Sequence, residues 1–196
     1  MQEVLGNHLD RERKKMAIFK MVEKGHPILN IKLEGISEDL DRHEIVEDLV
    51  ETMRSENGIG LSANQVGLME RVFIMYSDVK EKKIMACFDP QITEVSDETI
   101  IMDEGCLTYP GLWLKIERPV WIKATWEDQN GVKDEYRLAG LESRVFQHEY
   151  DHMEGTNFTK KVSKLKLKMA EKRKEKQLKK LKRESVEKST LCRSRA

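Results

Sequence analysis

Long apolar runs are missing from this 196-residue chain. No window approaches the ~18 residues of a membrane-spanning helix, so a membrane partner is not expected. The first fifteen residues carry basic side chains but no apolar core, which argues against a secretory signal. Glu3, Asp10 and Glu12 argue equally against an organellar transit peptide, and Met16-Ala17-Ile18-Phe19 reads as a natural start. Cysteine is scarce. Cys87, Cys106 and Cys192 are too few for a disulfide framework, and a reducing cytoplasm is the expected compartment. Net charge is absent too, with 35 Lys and Arg against 35 Asp and Glu, but the balance is uneven. Residues 160–196 hold 16 basic and 4 acidic side chains, a net of +12, leaving −12 on the remainder. An acidic body therefore carries a basic tail.

The length fits one domain with appendages: a loosely ordered extension over 1–20, a domain over 21–159 that can bury a single core, and a tail over 160–196, helical or disordered. The first expected element is a helix from about Glu38 to Ser55. Ser37 would be its N-cap, and Glu38, Asp39 and Asp41 would load the first turn with the favoured sign. Ile45, Val46, Leu49, Val50 and Met53 give it an apolar stripe at helical spacing. His43 reads as a surface histidine, and His8 and His26 fall in loop or tail sequence. Short strands follow at 71–76, 84–88, 91–95, 99–102 and 120–127. Asp128-Gln129-Asn130-Gly131 signals a hairpin returning through 132–138. A second helix spans about Glu142 to Glu154. A helix, then antiparallel strands, then a helix gives an α+β fold.

The second helix contains His148-Glu149-Tyr150-Asp151-His152, an H-E-x-x-H pattern. Residues four apart lie one turn above each other, so two imidazoles can bind one ion with the glutamate beside it, placed to take a proton from water. A hydrolytic site needs about three protein ligands and an open position. The extended pattern H-E-x-x-H-x-x-G-x-x-H fails here, because Phe158 stands at its third histidine. Glu171 and Glu175 lie in the lysine-rich tail, poorly suited to a buried site, so the third ligand is sought upstream. Cys106 is chemically the best choice, since a thiolate is a strong anionic donor to a borderline or soft metal. For Cys87 and Cys192 the reading is a buried structural cysteine or a plain exposed thiol. The stretch from Asn57 to Gly67 lacks the third glycine of a nucleotide loop and follows no strand. Its glycines suit a backbone wall beside a substrate, and Gln65 supplies an amide donor.

Three separated stretches then resemble the motifs of the peptide deformylases. Gly58 to Gln65 is similar to G-φ-G-φ-A-A-x-Q, Glu104 to Thr108 to E-G-C-L-S, and Gln147 to His152 to Q-H-E-x-D-H. Ser62 replaces the first alanine, Thr108 the motif serine, and Met153 the leucine common after the last histidine. Trp113 stands where many members have a substrate-facing arginine. The resemblance covers roughly Gly25 to Thr159. It implies antiparallel sheets around a central helix bearing H-E-x-x-H, to which the residues themselves add an N-terminal helix and a basic C-terminal extension. It implies a hydrolase that removes the formyl group from N-formylmethionine of nascent chains. Cys106, His148 and His152 would hold one divalent metal, Fe²⁺ first and Zn²⁺ second, a set that also tolerates Ni²⁺ or Co²⁺. Glu149 would move the proton, and Gln65 with the Leu107 N–H would face the oxyanion. Ile59, Gly60 and Gly105 would pair with the peptide as an added strand, and Ile59, Leu141 and Val145 would line the methionine pocket. Glu104 and Asp151 are either carboxylates orienting the ligands or a surface ion pair.

Two other function classes stand beside this one. A general H-E-x-x-H metallopeptidase would cleave internal bonds and would not need Cys106. A ribosome- or RNA-binding protein would act through the tail alone, where Val162, Leu165 and Met169 recur at helical spacing before the lysines of 172–183. The tail is a basic helix on ribosomal RNA, a helix folded on the acidic body, or a solvated segment. A monomer is expected.

Overall fold

The computed structural model describes residues 17–193, so most of the expected N-terminal extension, with His8, lies outside the described residues, as does the side chain of Cys192. Helix α1 spans Arg42–Ser55, a later start than the acidic run implied. Its cap is Asp41, whose Oδ1 accepts the N–H groups of His43 and Glu44, both at 3.0 Å. Ser37 is engaged elsewhere: the Glu70 carboxylate accepts its N–H at 2.8 Å and its hydroxyl at 2.7 Å. The expected stripe is core, with Ile45, Val46, Leu49, Val50 and Met53 packed against Leu61, Ile74 and Phe88.

The main sheet is antiparallel throughout, in the order β1 (Gly60–Ser62), β2 (Val72–Asp78), β3 (Lys83–Val95), β6 (Trp121–Glu127), β7 (Lys133–Ala139). A second sheet pairs β4 (Thr99–Glu104) with β5 (Leu114–Pro119). The strands expected at 84–88 and 91–95 are one continuous strand. They look separate because β3 bends at Asp89-Pro90, where Asp89 adopts φ +48° and the register with β6 shifts; this is a bulge. Two strands were not anticipated. β1 is three residues long and buried at every position, so it shows no alternation. β5 does alternate, Leu114 and Ile116 inward and Lys115 and Glu117 outward, but it follows the Pro110-Gly111 turn closely.

β2 reads Val-Phe-Ile-Met-Tyr because both its faces are covered. Val72, Ile74 and Tyr76 meet the α1 side. Phe73 and Met75 meet helix α2 (Gly140–Met153) through Val145, Phe146 and Met153. Phe73 and Phe146 stack edge to face at 5.0 Å. The far side of α2 faces the small sheet: Arg144 donates to the carbonyls of Ile116 (3.0 Å) and Ile100 (2.7 Å). A third apolar cluster, Leu112, Leu114, Ile116 and Phe158, receives Leu167 and Ala170 from helix α3 (Lys164–Arg193). The first turns of the basic tail are thus part of the body, while Leu178 and Leu181 further along are exposed. Among the described residues no helix is long and apolar enough to cross a membrane.

Just after α2 the chain turns at Gly155, with φ +63°, against the segment 30–32. A Cβ here would lie 2.7–2.9 Å from backbone atoms of Ile31, Lys32 and Asn30. Strain in the left-handed region and a clash with backbone act together. Gly155→Ala is expected to destabilise the fold by about 1–3 kcal/mol. The readout is a lowered thermal midpoint; a midpoint equal to the parent's would show that segment 30–32 yields freely.

Candidate metal centre

α2 delivers five polar side chains to its sheet-facing flank at helical spacing: Arg144, Gln147, His148, Asp151 and His152, all buried. His148 and His152 stand one turn apart, ring centroids at 5.4 Å. The loop after β4 brings Cys106 to them, with Sγ 3.4 Å from His152 Nε2. Donor atoms of Cys106, His148 and His152 all lie within 4.8 Å of one another. That is close enough for one ion, with bonds of about 2.0–2.3 Å, to reach all three.

Glu104, the last residue of β4, organises the second layer. Its carboxylate accepts Arg118 Nε (2.6 Å) and Nη2 (2.9 Å), Arg144 Nη1 (2.8 Å) and His148 Nδ1 (3.0 Å). With Nδ1 donating to a carboxylate, Nε2 of His148 is left to serve as a ligand. Arg118 also donates to Asp151 Oδ2 at 2.8 Å, and Lys161 Nζ lies 3.0 Å from Asp151 Oδ1. Glu104 and Asp151 are 5% and 8% exposed, which rules out the surface-pair reading. Burial alone would raise the Glu104 carboxyl, but the hydrogen bonds from Arg118, His148 and Arg144 outweigh it and hold it far below the usual carboxylate range.

Gln65 enters from the 3-10 helix Ala63–Val66. Its Oε1 accepts the Ser62 N–H at 3.0 Å, and its Nε2 donates to Thr108 Oγ1 (3.0 Å) and Cys106 Sγ (3.3 Å). The amide is thereby fixed with its donor toward the sulfur. Glu149 lies across the site. Burial pushes its carboxyl up to about 7, against the opposing pull of His148, and its Oε2 is buried with no partner. Burial lowers His152, reinforced by the charges of His148 and Arg118. A soft sulfur and two imidazoles are donors that could hold a divalent ion, with an unpartnered carboxylate oxygen in the same site.

A cavity of about 390 Å³ opens above these groups, lined among others by Ile59, Gly60, Gly105, Leu107, Leu141 and Val145. Every expected site residue except His152, which sits beneath at 1% exposure, therefore reaches one cleft. The glycines have concrete reasons. A Cβ on Gly60 would lie 2.5 Å from Glu149 Oε1 and 3.0 Å from Val145 Cγ1, and one on Gly58 would lie 2.7 Å from Leu107 Cδ1. The Ile59 carbonyl already accepts Tyr76 N–H at 2.9 Å, so that oxygen is not available to a peptide laid along β1, while Ile59 itself lines the cleft. Trp113, 63% exposed, lies over Gly105, three ring atoms 3.3 Å from where a Cβ would stand.

Arg118 and Arg144 are residues of the site that the sequence motifs do not include. Arg144 carried a signal, since it lies four residues before His148 on the same face. Arg118 carried none, because the strand that places it was not recognised.

The family model for Polypeptide deformylase matches residues 18–168 of the chain. A peptide deformylase of Wolbachia sp. subsp. Brugia malayi is 36% identical over 143 residues, covering 68% of this chain and 80% of that protein. The crystal structure of peptide deformylase from Thermotoga maritima superposes with a TM-score of 0.70 at 34% identity, covering 74% of this chain and 98% of the other. That of peptide deformylase from Plasmodium falciparum gives 0.73 at 32% identity, covering 83% and 97%. The shared fold, the matched length and the convergence of the three motifs on one cleft lead to one conclusion: this chain belongs to the polypeptide deformylase family.

Proposed function

We propose that the chain is a metal-dependent deformylase: it removes the formyl group from N-formylmethionine at the start of new polypeptides and releases formate. The observation that carries the reading is the buried, unpartnered Glu149 Oε2 beside the Cys106, His148 and His152 donors. The catalytic unit runs beyond the expected bounds of 21 and 159, since Phe19 packs on the core before it and Leu167 and Ala170 of α3 after it, with α2 as the central helix bearing H-E-x-x-H. Cys106, His148 and His152 would hold one divalent ion, Fe²⁺ in first place and Zn²⁺, Ni²⁺ or Co²⁺ as alternatives. When bound, such an ion supplies Lewis acidity and makes water a nucleophile near neutral pH.

The chain's own residues do the rest. Glu149 is the base that takes the proton of the attacking water and later hands it to the departing amine. Nε2 of Gln65 and the N–H of Leu107 face the oxygen on which negative charge develops. Glu104 fixes the tautomer of His148, and Arg118 and Arg144 fix Glu104. The main chain along Ile59-Gly60 and that of Gly105 would hold the peptide as an added strand, which is indifferent to side-chain identity. Ile59, Leu141 and Val145 line an apolar wall for the methionine.

The test is formate release from formyl-Met-Ala-Ser, with and without a chelator, beside an unformylated peptide. Formate should appear, stop on chelation and return with added Fe²⁺ or Zn²⁺, with the second peptide intact. Internal cleavage would point to a general metallopeptidase, and formate release indifferent to chelation would defeat the metal reading. Gln65→Leu is expected to lower kcat by about 10²–10³-fold, the effect of losing one oxyanion donor. A kcat equal to the parent's would remove Gln65 from the mechanism.

The protein acts as a monomer in the cytoplasm on nascent chains. The outer part of α3, with its exposed Lys172, Lys176, Lys179, Lys180 and Lys182, favours docking on ribosomal RNA. Because Leu167 and Ala170 belong to the core, the informative truncation removes residues 175–196. It should abolish ribosome co-sedimentation at low salt and leave deformylation of the short peptide unchanged. Co-sedimentation equal to that of the full chain would refute the docking.

A further inference from the structure

The two imidazoles of the centre are held in different ways. The ring of His148 is fixed from outside, because its Nδ1 bonds Glu104 Oε2 at 3.0 Å. The ring of His152 has no such partner: its Nδ1 is buried and unpaired. His152 also lies in the last turn of α2, where carbonyl groups run out of intrahelical donors. Something other than its ring must set its position.

The backbone of His152 is pinned from across the site. Its carbonyl accepts Asn64 Nδ2 at 2.8 Å and the Gly155 N–H at a longer 3.2 Å. Asn64 is fully buried, on the same 3-10 helix as Gln65. Its amide cannot rotate freely, since the His152 carbonyl takes only a donor and Asn64 Oδ1 faces the Ser62 hydroxyl at 3.0 Å. Four residues, Ala63 to Val66, therefore touch both halves of the centre. Gln65 reaches the Cys106 sulfur and Asn64 reaches the backbone of His152. Ser62 supports both side chains, with Oγ at 3.0 Å from Gln65 Oε1 as well as from Asn64 Oδ1.

We infer that Asn64 is a positioning residue for the metal centre: its bond to the His152 carbonyl, backed by Ser62, sets the distance between the His152 imidazole and the Cys106 sulfur. A metal site tolerates only about 0.5 Å of displacement in its ligands. Asn64 does for His152, through the main chain, what Glu104 does for His148 through the ring. Ser62 and Asn64 act together, so the serine standing in the motif's alanine position is part of this brace. The inference rests on the proposed ligand set, and its test separates the two.

Full-length parent, Asn64→Leu, Asn64→Asp and Val66→Ala are loaded with Co²⁺. Affinity is read by competition with a chromogenic chelator, and geometry from the visible bands and the thiolate-to-cobalt charge-transfer band. Thermal midpoints are recorded alongside. Both Asn64 variants should hold Co²⁺ about 10–100-fold less tightly, the usual effect of losing an outer partner of a ligand, with altered visible bands. Val66→Ala, on the same 3-10 helix, should lower the midpoint and leave affinity and spectrum alone. Parental affinity and spectrum in the Asn64 variants overturn the inference, and so does an equal loss in Val66→Ala. If neither Asn64 variant folds, Asn64 is a general stability residue and the inference fails. A parent that binds Co²⁺ with no thiolate band sinks the ligand assignment itself, a distinct result.

Discussion

Glu149→Gln is expected to release formate roughly 10²–10⁴-fold more slowly than the parent, the contribution of a positioned general base, while holding its metal as tightly. The substitution keeps size and removes only the capacity to accept a proton. Glu149 is not among the three donors clustered for the ion, so metal content should not follow activity downward. Burial has already pushed its carboxyl up to about 7, and a cation bound nearby pulls it down again. The acid limb of kcat/KM should therefore lie at or below pH 7, with activity falling as pH drops through it and the carboxylate becomes protonated. In Glu149→Gln that limb should vanish from the residual rate. Gly60→Ala supplies an independent check, because the new methyl would stand 2.5 Å from Glu149 Oε1 and must displace it. It should reproduce much of the loss in kcat with the carboxylate chemically intact. A Glu149→Gln enzyme with parental kcat would end the assignment.

The second large effect concerns Glu104. Two guanidinium groups, Arg118 and Arg144, are buried against this one carboxylate. Removing one partner of such a set leaves cations in a dry interior, typically at about 3–5 kcal/mol. Glu104→Gln should unfold at markedly lower urea concentration at pH 7, and it should bind metal more weakly because His148 loses its orienting acceptor. The pH dependence follows from the sign of the shift. The folded-state carboxyl is held below its ordinary value of 4.5. Its stabilisation is therefore complete above that value and drains away as pH falls through the folded one. Parent and variant should thus differ most near neutrality and converge as the pH is lowered below about 4.5. A gap that stays constant down to pH 3 would show that the pair acts through packing and not through charge.

His148, Glu149 and His152 stand out in the sequence because their chemistry is rare and their spacing is helical, and Cys106 because a thiolate suits a borderline metal; the fold places the Cys106, His148 and His152 donors within 4.8 Å of one another. The apolar stripe of α1 and the hairpin at Asp128-Gly131 were found because local pattern decides them. Three things were hidden, each for a physical reason. β1 is too short and too uniformly buried to alternate. The cap of α1 was misplaced because Ser37 and Asp41 both suit the role, and Glu70, distant in sequence, claims Ser37. The Arg118–Glu104–Arg144 cluster depends on β5 lying against α2, a tertiary fact that no local pattern carries.

The two borders of the main sheet are finished differently. β7 closes one side with Lys133, Asp134, Glu135 and Arg137 along its length, the charged trim that discourages a stranger from zippering on. β1 closes the other with three residues and no such guard. A visiting segment can register there over only a step or two before the ladder gives out. Under the proposed peptide pairing, that threshold would seat the tip of an emerging polypeptide and yet be too short to seed a fibril, so the opening needed for turnover would add little risk of clumping.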